Sequence, residues 1–171
     1  MLPNMTVINT CDFQQTKSAT LAIADHYGPV YLRFGRPKDA MFTSPDQKFV
    51  IGKAWHIHEG KDVTIIATGH LVWKAVQAGE ALAELGISAE IINIHTIKPL
   101  DVQAVIASVR KTGCVVTAEE HQINGGLGDA IAQVLSLNFP APIEMVAVKD
   151  SFGESGTPEQ LLVKYGLDTP D

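Results

Sequence analysis

The feature that most constrains this chain is the regular alternation, from Phe49 onward, of short apolar runs with segments of helical period. Val63 to Ala67 (VTIIA) is nearly continuous in apolar character and too short for a helix, which suits a strand buried on both faces. Val72, Val76, Gly79, Leu82 and Ala83 then share one helical face, and Ala89 to Ile94 returns to strand character. Pro99 to Lys111 places Val102, Val105, Ile106 and Val109 at helical spacing before a stop at Gly113. Cys114 to Thr117 reads as the next strand, followed by a polar turn, a glycine cluster and an apolar helix, and Ile143 to Val148 as the last strand. Thr157-Pro158-Glu159-Gln160 combines a threonine cap, proline at the first helical position and the capping-box glutamine, ahead of Leu161, Leu162 and a terminating Gly166. Strands separated by single helices imply a mostly parallel sheet covered by helices. Phe49 to His58 is expected as an edge strand of that sheet.

The first 36 residues have another plan. Val7 and Ile8 read as a strand, Asp12 and Gln15 have capping-box spacing, and Phe13, Thr16, Thr20, Ile23 and Tyr27 form one helical face closed by Gly28 and Pro29. Val30 to Phe34 is a second strand that delivers Gly35 and Arg36 at its carboxyl end, and the proline-bearing segment Pro37 to Lys48 reads as a linker. Two strands and one helix cannot bury their own apolar surface, so this fragment either packs on the domain C-terminal to it or belongs to a larger domain, the reading we favour.

A net charge of -6 over 171 residues argues against nucleic acid or an anionic membrane as partner, since either requires a basic face. Cys11 and Cys114 lie far apart beside apolar or β-forming residues, as expected of reduced thiols rather than a disulfide framework. No signal-peptide pattern opens the chain and no stretch approaches the roughly 20 apolar residues of a spanning helix, which makes the cytoplasm the expected compartment.

Glu119, Glu120 and His121 are placed where a strand is expected to end, a position that suits a general acid or base. The same residues can equally decorate a loop, cap a helix or bond across a subunit interface. Gly125, Gly126 and Gly128 can bare amides to an anion at a helix start, or serve tight turning and close packing. Arg36, with Arg33, can hold a phosphate bidentately or form an interface ion pair. His56 and His58 lack a third metal ligand nearby, and His95 and Lys98 stand at another strand end.

Three separated stretches carry a resemblance. IHTIKPLD (Ile94 to Asp101), the Glu119-Glu120-His121 run with its GGLGDA continuation, and the ending FGESGTPEQLLVKYGL resemble the C-terminal domain of transketolase. LPNMTVINTCDFQQTKSA and GPVYLRFGRP are similar to the last part of that family's pyrimidine-binding domain, and the resemblance is nearest to the split bacterial and archaeal form. It implies an α/β fold of three layers, a mostly parallel sheet with one antiparallel edge strand, preceded by a β-α-β remnant. The implied division is residues 1–46 for the remnant and linker and 47–171 for the C-terminal domain. It further implies a transferase that moves a two-carbon ketol unit between sugar phosphates, in the pentose phosphate pathway, using thiamine diphosphate and Mg²⁺ at a dimer interface. An N-terminal transketolase subunit or domain is the implied partner, in a homodimer or heterotetramer. The family's GDG…N cofactor motif is not matched at Gly128-Asp129-Ala130, so this chain alone is expected to bind no cofactor and to be inactive. Arg36 matches the arginine that holds substrate phosphate, and the Glu119 to His121 run shifts toward a structural or interface role. The competing readings are a stand-alone anion- or protein-binding α/β module and the related deoxyxylulose-phosphate synthase or 2-oxoacid dehydrogenase β subunit.

Overall fold

A computed structural model describes residues 2–35 and 40–170. The N-terminal unit is β1 (Thr6–Asn9), α1 (Phe13–Ala24) and β2 (Val30–Arg33). The alternating region comprises β3 (Trp55–His58), β4 (Val63–Ala67), α2 (Leu71–Glu84), β5 (Ala89–Asn93), β6 (Thr96–Lys98), α3 (Val102–Thr112), β7 (Val115–Gln122), α4 (Leu127–Asn138), β8 (Ile143–Val148) and α5 (Pro158–Lys164).

The expected architecture is present. Five strands form a sheet in the order β3-β5-β4-β7-β8, parallel throughout except at the edge, where β3 runs antiparallel to β5. The alternation of side chains across the central strands divides the core into two layers. Ile65, Ala67 and Ile91 pack with Leu71, Val72 and Ala75 of α2 and with Leu162 and Tyr165 at α5. Ile66 and Ile92 face the other way, against Val105 and Val109 of α3 and Leu127, Ile131 and Leu135 of α4. Of the three helix stops expected at glycine, Gly113 at φ 80° and Gly166 at φ 65° are left-handed residues just past their helices, whereas α1 ends at Ala24, capped by Asp25, ahead of Gly28. The α5 capping box forms in both directions, Thr157 and Gln160 each accepting the other's backbone amide.

Some elements differ from the sequence reading. The expected strand from Phe49 shrinks to Trp55–His58, because Gly52 at φ 82° turns the chain within Phe49 to Ala54 and the Lys53 amide donates back to Val50. The helix expected from Pro99 starts at Val102, where the Asp101 carboxylate accepts the Ala104 amide. Thr96–Lys98, where the sequence reading has only connecting chain, is the strand β6, which pairs antiparallel with β1. The N-terminal unit is thereby part of a three-stranded sheet, β2-β1-β6, whose third strand comes from the C-terminal region.

On α1 the buried side chains are Gln15 and Ala19, while Phe13 and, just beyond the helix, Tyr27 are exposed. Two positions along a helix turn about 200°, so Phe13 lies across the cylinder from Gln15. The face legible in the sequence is therefore covered only in part: Thr16 and Ile23 are half-buried, while Phe13, Thr20 and Tyr27 are exposed. Both cysteines are free, Cys11 fully buried and Cys114 partly so.

Candidate functional site

Glu119, Glu120 and His121 do not form a turn. They continue β7, and the pairing with β8 slips between Ala118 and Gln122, so that this stretch bulges out of register. A bulge re-aims successive side chains, and here it sends them to three different fates. Glu119 is 2% exposed and points under the start of α4, where its Oε2 accepts the Leu127 amide at 2.7 Å and its Oε1 the Gly128 amide at 2.8 Å. Glu120 is half-buried, its carbonyl accepting Arg33 Nη2 at 2.8 Å and its carboxylate lying 3.9 Å from the same nitrogen. His121 is exposed and its Nδ1 donates to the Gln122 carbonyl at 3.0 Å.

The glycine turn is built around Glu119. Gly126 has no room for a side chain, since an added Cβ would sit 2.2 Å from Glu119 Oε2. Gly125 takes φ 81°, open to glycine at little cost, and donates its amide to Asp129 Oδ2 at 2.5 Å. Gly128 packs against β7 and β8, where a Cβ would meet Met145 Sδ at 2.7 Å. The anion at this helix start is thus the chain's own carboxylate, and the amides of Leu127 and Gly128 are occupied by it.

A cleft of about 620 Å³ opens beyond the carboxyl ends of β2, β7 and β8 and the N-terminus of α2, where open α/β sheets gather ligands. Arg33, His70, Lys74, Glu120, His121 and Tyr165 bring its polar groups together. Lys74 is tied to Asp168 at 2.7 Å, and that ammonium holds the Asp168 carboxyl below the usual aspartate range. Gly35 also lines this cleft. Arg36, the next residue, lies outside the described residues.

The remaining candidates are dispersed. His56 faces the buried Glu90 at 3.5 Å, and His58 donates its Nδ1 proton to the Ala89 carbonyl at 3.0 Å. Among the described residues no cluster of three His, Cys, Asp or Glu side chains could hold a metal. Lys98 donates to the Leu2 carbonyl at 2.6 Å. His95 is buried and its imidazole is pushed down to about 4 by the loss of water around it.

The Asp12 cap read from the sequence forms, but Gln15 Oε1 accepts the Cys11 amide rather than that of Asp12, so the box is not reciprocal. Two polar roles escape the sequence reading. Asp12 also accepts the Phe42 and Thr43 amides and the Thr43 hydroxyl, tying the N-terminal unit to the segment ahead of β3. Burial would raise its carboxyl, but the donors of Gln15, Thr43 and Phe42 outweigh that and hold it below the usual range. Glu90 is fully buried on β5 and paired with Lys111, which also reaches Glu59 at 2.7 Å. A lone acidic residue inside an apolar run was the available signal for Glu90.

Residues 52–171, the region carrying the five-stranded sheet, the Glu119 cradle and α5, match the family described as transketolase, C-terminal domain. The chain belongs to that family. It is 46% identical over 166 residues to the 6-deoxy-6-sulfo-D-fructose transketolase subunit SqwH of Clostridium sp. (strain MSTE9), covering 97% of this chain and 52% of that protein. To an apulose-4-phosphate transketolase subunit of Phocaeicola vulgatus it is 38% identical over 167 residues, covering 97% and 53%. A solved split gene transketolase, described as an inactive beta4 tetramer, superposes with a TM-score of 0.97 at 45% identity, over 99% of this chain and 56% of that one. The chain therefore spans about half the length of the transketolase subunits it matches.

Implied by this family are thiamine diphosphate and Mg²⁺. The described donor set does not fit them, because no acidic or histidine cluster among the described residues could take a metal and the amides of the glycine turn hold Glu119 in place of a diphosphate.

Proposed function

We propose that this chain supplies the C-terminal part of a transketolase that moves a two-carbon ketol unit between sugar phosphates. The observation that carries the reading is the superposition on a split transketolase chain over 99% of the residues at 45% identity. The cofactor and metal are assigned to an N-terminal subunit or domain. The exposed apolar side chains of the N-terminal unit, among them Phe13, Leu21, Tyr27, Tyr31 and Phe34, support a partner in a homodimer or heterotetramer that covers them. Residues 1–46 are read as the end of the pyrimidine-binding domain and 47–171 as the C-terminal domain. No described helix is long and apolar enough to cross a membrane, which is compatible with a cytoplasmic enzyme of sugar metabolism.

Arg36 is assigned to the anionic end of the substrate. Its neighbour Gly35 and nearby Arg33 both line the cleft at the end of β2, and a guanidinium there can meet a phosphate with two parallel hydrogen bonds. The names of the two relatives specify a sulfonated and a phosphorylated sugar, so an arginine suited to either anion fits the reading without choosing between them.

The test is reconstitution. The chain combined with the N-terminal partner, thiamine diphosphate and Mg²⁺ is expected to transfer a ketol unit from a ketose phosphate to an aldose phosphate, and neither part alone is expected to do so. Arg36→Ala in the reconstituted enzyme should raise KM for phosphorylated sugars more than for unphosphorylated ones. Ketol transfer by this chain alone would overturn the division of labour, and equal KM effects would remove Arg36 from the substrate anion.

A further inference from the structure

A second cavity, of about 230 Å³, lies between α1, residues 43–55 and His95, and shares no lining residue with the cleft around Arg33. At about 30 Å³ per water it has room for about seven waters, enough for a small phosphorylated metabolite. Its inner wall is made of side chains that the rest of the fold holds rigidly. Gln15, 5% exposed, is fixed in orientation because its Oε1 accepts the Cys11 amide at 3.0 Å and Asn93 Nδ2 at 3.3 Å. That leaves its Nε2 donor without a partner among the described residues, in a side chain that lines the cavity.

His95, 4% exposed, forms another part of the wall. Its Nδ1 is engaged with the Thr96 hydroxyl at 3.0 Å and its ring is covered by Phe49 at a centroid distance of 4.1 Å. Its Nε2 has no protein partner among the described residues. When the Thr96 hydroxyl donates to Nδ1, the neutral ring carries its proton on Nε2 and is a second donor. Lys48 and Lys53 line the same cavity. Lys53 shares its charge with Asp101 at 3.7 Å, while Lys48 has no ion-pair partner among the described residues. The Asp12 carboxylate, bonded to the cavity residues Gln15 and Thr43, is already saturated by donors from Gln15, Phe42 and Thr43. The Gln15 amide nitrogen and, in that tautomer, His95 Nε2 thus reach the cavity without a protein acceptor, beside a Lys48 ammonium that has no ion-pair partner among the described residues, a set of groups that suits an anion.

We propose that this cavity binds a small anion of the phosphate or phosphomonoester class, seated against Gln15 and His95 and held by Lys48 and Lys53. The site is separate from the cleft that contains Arg33, and it does not rest on the transferase reading. Ligand binding there would bridge α1 of the N-terminal unit to the segment entering β3 and to the β5–β6 connection, the places where the two sheets are joined.

Trp55 lines the cavity and Trp73 does not, so fluorescence of the full chain in a Trp73→Phe background reports on this site. Titration with potassium phosphate and with glycerol 3-phosphate is expected to give a saturable change that potassium chloride at equal ionic strength and glycerol do not. Tighter binding of glycerol 3-phosphate would assign the site to a phosphomonoester, and equal or weaker binding to free phosphate. The double variant K48A/K53A should weaken binding by about tenfold or more, since two charge-assisted contacts are lost. Gln15→Glu keeps the acceptor that Cys11 needs while replacing the donor with a negative charge, and is expected to abolish binding with helical content unchanged by circular dichroism. His95 ring resonances should move in the phosphate titration. A phosphate response no different from chloride, or wild-type affinity in both K48A/K53A and Gln15→Glu, would overturn the proposal.

Discussion

Removing the Glu119 carboxylate tests the central claim about the glycine turn. In Glu119→Ala the amides of Leu127 and Gly128 lose acceptors at 2.7 and 2.8 Å inside a region closed to water. A hydrogen bond to a charged group contributes about 1.5–3 kcal/mol, and an orphaned buried donor adds its own desolvation penalty. With some water entering the space vacated, the net loss should be about 3–5 kcal/mol. For a chain of this length that corresponds to a melting temperature lower by about 6–20 °C. The partner substitution is Gly126→Ala, whose φ of -96° any residue can adopt, so that its penalty is purely steric and arises from a Cβ 2.2 Å from Glu119 Oε2. Alone it should destabilise by about 1–3 kcal/mol. In the Glu119→Ala background the obstacle is gone, and the same substitution should cost less than about 1 kcal/mol, a coupling readable in a double-mutant cycle by urea denaturation. If Glu119→Ala loses less than about 1 kcal/mol, or if the two effects simply add, Glu119 is not the anion around which the turn is built.

Other buried polar groups and glycines give further tests. The His95 ring, observed by NMR, should stay neutral down to a midpoint near 4. Because the unfolded chain takes up that proton near the ordinary value of about 6.5, stability should fall by roughly 3 kcal/mol as the pH drops through that window, and His95→Phe should flatten the profile. Asp12, held below the usual aspartate value of about 3.9, contributes stability that is present above that value and lost as the pH falls through its lower folded value. Asp12→Asn should therefore remove part of the acid sensitivity seen below about pH 4 in a denaturant series. Gly60→Ala and Gly86→Ala separate space from conformation, both measured by thermal unfolding. The first drives a Cβ to 2.1 Å from the Glu90 backbone nitrogen and should cost well over about 2 kcal/mol. The second meets open space at φ 80° and should cost about 1–2 kcal/mol.

Much of the fold was legible because it is written in local pattern. Val63–Ala67 and Ile143–Val148 form strands over the residues read from their composition, Gly113 and Gly166 stop helices as expected, and Thr157 to Gln160 form the anticipated capping box. Burial on both faces and capping chemistry act over a few residues, so single segments reveal them. β6 was not legible, since three residues carry too little pattern and its existence depends on pairing with β1, some ninety positions earlier. Which α1 side chains are most buried was hidden for a related reason: an apolar stripe records which side seeks burial, and within this chain Gln15 and Ala19 are buried while Phe13 and Tyr27 of the stripe stay exposed.

The candidate site shows the same division. Sequence by itself determined that two glutamates, a histidine and three glycines follow an apolar strand run and lead into an apolar helix, and that such a place can hold charge. Tertiary structure alone decided that Glu119 turns inward to occupy the helix amides while Glu120 meets Arg33 and His121 faces solvent. The physical reason is the bulge between Ala118 and Gln122, a feature of the register with β8 that no residue in β7 specifies alone.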